Sequence, residues 1–212
     1  MCLSIALFVA SASDRAYADV KGNIDLGSVK IEGLRVGIHV VIDKAFAEKH
    51  KIESYQTPFE YFLPKRKHIF VENHGKTPSF VKYSFATPSK ELISNVQFTN
   101  MTVPEGDTKQ RVAVVKKLLL SQVLPTLGGN PVAHAVYQTK VGEFDAVCLD
   151  AEIADPTLGK LFVKVTGYLK PGSTHAILGV GRYNPKHSQV KKAADLRDKG
   201  LATRVLYSFR YQ

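Results

Sequence analysis

A chain of 212 residues that is 44% hydrophobic and 23% charged is long enough to bury a core and too apolar for a disordered tail. Its net charge of +10 favours anionic partners, but the basic residues fall in short runs without the aromatic-rich signature of an RNA binder, so nucleic acid is not the expected ligand. Two cysteines, Cys2 and Cys148, argue against a disulfide-rich scaffold.

The chain opens on an apolar and small-residue run, Cys2 to Ser13, followed by Ala16-Tyr17-Ala18. Small residues at these two spaced positions suit signal peptidase, so residues 1–18 read as a signal peptide cut before Asp19; a buried N-terminal strand is the alternative. The run falls short of the roughly 18 apolar residues that span a bilayer, and no Lys or Arg precedes it. Asp14 and Arg15 cancel, so residues 19–212 keep the +10 charge. They are expected to form one α+β domain without a transmembrane span, periplasmic or secreted, with Cys148 left without an internal partner.

Further along, Leu34, Val36, Ile38, Val40 and Ile42 alternate as one face of a strand. The basic triplet Lys65-Arg66-Lys67 is the candidate site for an anionic ligand. Next comes His68-x-x-x-Glu72-x-His74, whose side chains would share a face if extended and offer a divalent metal two imidazoles and a carboxylate. A strand rises ~3.3 Å per residue, so His68 and His74 would stand about 20 Å apart, and the candidate metal ligands reduce to Glu72 and His74. The alternative is a solvent-facing polar strand. A second strand carries Val81, Tyr83, Phe85 and Thr87 between Pro78 and Pro88.

Asp107 to Leu124 places Val112, Val115, Leu118, Leu119 and Val123 at helical spacing. Asp107 and Gln110 have the separation of a capping box, and Pro125 with Gly128-Gly129 ends the helix. Four strands follow, Val132 to Lys140, Phe144 to Ile153, Lys160 to Leu169 and His175 to Tyr183, joined by turns too short for crossover helices. They predict an antiparallel meander. Ser188 to Lys199 reads as a thin surface helix stopped by Gly200, and residues 201–211 as a closing strand, with a continued helix as the alternative.

The fold class is therefore α+β, an antiparallel sheet with helices packed on one face, sandwich-like. The long helix, the Gly-Gly break, the meander, the basic helix and the closing Ser208-Phe209 resemble the PsbP-like α/β sandwich family over the C-terminal half. Gly159-Lys160-Leu161-Phe162 followed by Gly167-Tyr168 is similar to that family's Gly-Lys-aliphatic-aromatic strand. The resemblance implies an envelope-located binding or assembly role, without catalytic residues to carry over.

The remaining chemistry is sparse. Asp150 and Glu152 share a strand face with Cys148 and could divide acid and base roles, although their place near Asp155-Pro156 suits the exposed end of a strand better. Cys148 reads as a small core hydrophobe, and His39 and His134 as core histidines inside apolar strands. Gly179-Val180-Gly181 lacks a following helix of the dinucleotide-binding kind and reads as a bulge or close packing. No nucleophile elbow, phosphate loop, HExxH or paired CxxC occurs. The expectation is an exported, non-enzymatic envelope protein without a cofactor, binding an anionic envelope component or a protein partner. The alternative is a periplasmic, metal-assisted hydrolase.

Overall fold

The structure, a computed structural model, describes residues 28–31, 34–52, 55–64, 69–72 and 79–212. Its N-terminal part carries strands β1 (Ser28–Ile31) and β2 (Leu34–Ile42), helix α1 (Lys44–His50), and strands β3 (Phe59–Pro64), β4 (Ile69–Glu72), β5 (Ser79–Ala86) and β6 (Leu92–Thr102). Helix α2 (Thr108–Leu118) precedes β7 (Val132–Val141), β8 (Phe144–Asp155), β9 (Gly159–Tyr168) and β10 (His175–Tyr183); α3 (Leu201–Tyr207) and β11 (Arg210–Tyr211) close the chain.

The short turns between β7 and β10 give the antiparallel meander that the sequence predicts. It continues through β6 into a seven-stranded sheet ordered β4-β5-β6-β10-β9-β8-β7. The second layer is a small sheet, β1-β2-β3-β11, so the α+β sandwich has two sheets and one covering helix layer. Between the sheets, Val40, Ile42, Phe59, Tyr61 and Leu63 meet Tyr83, Phe85, Val96, Phe98 and Tyr168, together with Val205, Leu206 and Phe209. Tyr168 and Phe209 stack there at 3.8 Å between ring centroids.

The opposite face of the large sheet lies under α2. Asp107 caps that helix as expected, accepting from the Gln110 amide at 2.8 Å while the Gln110 side chain accepts from the Asp107 amide at 3.3 Å. Val112, Val115, Leu119, Val123 and Leu127 bury against Val147, Leu149, Ala151, Val163 and Val165. The helix loosens into a π-helical turn (Leu119–Val123) and a 3₁₀ turn (Leu124–Leu127) before Gly128. Gly129 then passes so close to Ala154 that a β-carbon would stand 1.9 Å from its carbonyl oxygen, with φ at +48° besides.

The C-terminal segment departs from expectation. The 188–199 helix is only a 3₁₀ turn at Ala193–Arg197, and residues 201–207, read as strand, are helix α3. Local side chains cause the first change. Ser188 Oγ accepts from the Val190 amide, and the Asp195 carboxylate accepts from the amides of Lys191 and Lys192, holding the backbone in turns. The second follows from burial: Ala202, Thr203, Val205 and Leu206 are covered, a helical spacing that apolar alternation mimics over so short a stretch. Gly179 and Gly181 make room for α3. A β-carbon at Gly179 would meet Leu206 at 2.5 Å, and one at Gly181 would meet Ala202 at 3.2 Å, so the Gly-Val-Gly sequence is close packing.

Candidate binding surface

The C-terminal stretch from Lys186 to Arg210 contains seven basic and two acidic residues, a net of +5 and half the charge of the chain. Val190, Leu196, Ala202, Val205 and Leu206 anchor it to the inter-sheet core. Lys186, Lys191, Lys192, Arg197, Lys199 and Arg204 point outward and are exposed. Of the two acids, Asp195 is consumed locally: it pairs with Lys199 at 2.8 Å. That Lys199 bond and the bonds from the amides of Lys191 and Lys192 hold its carboxyl at about 2. Among the described residues, Lys186, Lys191, Lys192, Arg197 and Arg204 form no ion pair, so their charges on this anchored segment have no carboxylate partner.

Beneath the segment lies a polar cluster that sequence reading missed. Lys164, in the middle of β9, is fully buried on the face that the 3₁₀ turn covers. Its ammonium donates to Asp150 Oδ1 at 3.1 Å and to the Tyr137 hydroxyl at 2.7 Å, and it lies 5.4 Å from the Tyr207 ring centroid. Burial works against its charge, but the electrostatic influence of Cys148, Asp150 and Tyr207 and the hydrogen bond to Asp150 outweigh it and hold Lys164 above its ordinary value. A lysine kept protonated cannot act as a nucleophile. The Arg197 guanidinium lies 5.3 Å from the Tyr137 ring centroid, so the cluster ties β7, β8 and β9 to the basic segment. The only sequence cue was a lysine amid valines, Val163-Lys164-Val165.

Other expected site residues separate. Asp150 is a buried ion-pair partner, not the exposed strand end it resembled. Glu152 shares its face but bonds His134 at 3.0 Å and pairs with Lys160, so the two carboxylates do not form an acid–base pair. Cys148 is fully buried 3.6 Å from Thr166 Oγ1, and burial raises its thiol pKa, which keeps it neutral. His39 and His134 are surface partners of Glu60 and Glu152 and not core histidines. Lys65, Arg66, Lys67, His68 and His74 lie outside the described residues, and Glu72 is placed only as the register partner of Lys82. Among the described residues, no three His, Cys, Asp or Glu side chains gather as a metal site, and no helix is long and apolar enough to cross a membrane.

Comparison with known proteins separates sequence from shape. No protein-family model and no curated protein matches the sequence. Solved structures do match. The solution structure of cyanobacterial PsbP (CyanoP) from Synechocystis sp. PCC 6803 superposes with a TM-score of 0.51 at 11% identity, over 87% of this chain and 98% of that one. The fold is PsbP-like. Saccharomyces cerevisiae Ran-binding protein Mog1p aligns with a TM-score of 0.43 at 9% identity, over 82% of this chain and 95% of Mog1p. A Bacteroides thetaiotaomicron structure aligns with a TM-score of 0.44 at 11% identity, over 73% of this chain, which spans only 45% of that one. The PsbP-like likeness extends beyond the C-terminal half, where the sequence resemblance lay, into the N-terminal strands.

Proposed function

We propose that this PsbP-like chain is a non-enzymatic binding protein of the cell envelope, exported by its N-terminal leader, that docks on an anionic surface through residues 186–210. The carrying observation is the set of five exposed cations without carboxylate partners on an apolar-anchored segment. Such a segment attracts negative charge without rearranging, and its attraction is screened by salt. The apolar leader and the Ala16-Tyr17-Ala18 site support export. The test is co-sedimentation of the purified chain with phosphatidylglycerol vesicles at rising salt. Binding at low salt, lost at high salt and abolished in Lys191→Glu/Lys192→Glu/Arg197→Glu, is expected. Equal retention of that variant, or no retention of the wild type at low salt, overturns the reading.

A further inference from the structure

The face of the large sheet under α2 changes character where the helix ends its cover. Across β10, β9 and β8 it is apolar. One step further, register aligns Ser84 with Asn95 and Asn95 with Arg182, and the next row aligns Lys82 with Gln97. These side chains share the face of Leu178 and Val180, since strand residues two apart project alike. The polar row is nonetheless covered: Ser84 is 2% exposed, Asn95 7%, Gln97 9%.

Buried polar groups ordinarily find partners. Here they do not. Arg182 forms no ion pair and no hydrogen bond among the described residues, and its Nη2 is buried bare. Asn95 Oδ1 is likewise buried without a partner. Arg111, in α2, also leaves its Nε bare, but its two terminal nitrogens donate to the carbonyls of Lys170 and Ser173 at 3.0 and 2.5 Å. Burial lowers the Arg182 pKa, and Asp155 opposes the shift. The residue as a whole keeps part of its surface.

We propose that Arg182, Asn95 and Gln97 form a binding site for a small oxyanion, a phosphate or carboxylate group. The guanidinium supplies a planar fork of donors matched to two oxygens. The Asn95 and Gln97 amides add further donors once the Asn95 amide turns its nitrogen inward. An entering anion supplies hydrogen-bond acceptors that the covered guanidinium lacks. The heads are too deeply set for the flat face of a macromolecule, which is why the ligand is a single group. This site is independent of residues 186–210.

Thermal unfolding of the full chain in inorganic phosphate, acetate and chloride at matched ionic strength tests the site. The melting temperature is expected to rise saturably in phosphate or acetate above chloride, and the anion that acts assigns the group. Arg182→Met is expected to melt no lower than the wild type in chloride and to lose the response. Should that variant fail to fold, Gln97→Leu serves, with a half-saturating concentration raised about tenfold, the loss of one charge-assisted bond. Lys191→Glu/Lys192→Glu keeps the response, which separates this site from the basic segment. A wild type indifferent to both anions, or a response that survives Arg182→Met, overturns the proposal.

Discussion

Lys164 and Arg182 are covered cations on adjacent strands, Lys164 opposite Gly181 and Arg182 opposite Val163, and they project to opposite faces of one sheet. Lys164 is saturated: a carboxylate, a phenol and two aromatic rings surround its ammonium. Arg182 is empty-handed. A buried charge with its partners supplied by the fold belongs to the frame, whereas one whose head the fold leaves without a hydrogen-bond partner points to a partner from outside. The contrast lies in what the neighbouring strands offer. β8 and β7 give Lys164 an acid and a tyrosine, while β6 gives Arg182 only amides.

The largest effect follows from breaking the saturated pair. Lys164→Met strands Asp150 as a buried, unpaired carboxylate and is expected to cost about 3–5 kcal/mol in denaturant unfolding. Lys164→Met/Asp150→Leu should recover most of that loss, since a buried pair replaced by apolar groups is close to neutral. If Arg182→Met cost as much as Lys164→Met, the contrast between frame and site would disappear.

A smaller effect tests the packing that brings α3 over Lys164. Gly179→Ala pushes a methyl against Leu206 and the Tyr168 hydroxyl, at an expected cost of about 1–3 kcal/mol. Loss of the Lys164 cluster's protection in hydrogen exchange should accompany it, with no change at Arg182.

Alkaline melting probes the saturated side of the sheet further. The buried Tyr83 hydroxyl accepts from Tyr61 at 2.8 Å, and burial pushes its pKa from 10.0 to about 12. The unfolded chain ionises first, so this stabilisation is whole below pH 10 and falls away as pH approaches 12. Tyr83→Phe should flatten that decline. The smallest effect is at acid pH. Asp195, lowered from 3.8 to about 2, stabilises its turn above pH 4 and loses that contribution as pH falls toward 2. Asp195→Asn should remove the dependence while leaving vesicle binding intact.

Strands with one apolar face were legible because alternation records burial directly: β2, β5 and the meander β7–β10 stand where the periodicity put them. β6 received no assignment, since only Val96 and Phe98 mark an apolar face between Ser94 and Asn100, and the polarity of Asn95, Gln97 and Thr99 marks the oxyanion site. The α3 region misled because seven residues cannot separate two periods, and Gly200, with φ at +92°, expected to stop a helix over 188–199, instead precedes α3. The basic segment was visible as composition. Its lack of ion-pair partners and the Lys164 cluster beneath it were not, because both depend on strands distant in sequence.

Diffraction from crystals grown in phosphate tests the frame-and-site contrast most directly. The account predicts anion density in hydrogen-bonding contact with Arg182 and with Asn95 or Gln97, and none beside Lys164. A structure in which Arg182 meets a carboxylate of its own chain, with no anion at that face, would contradict it.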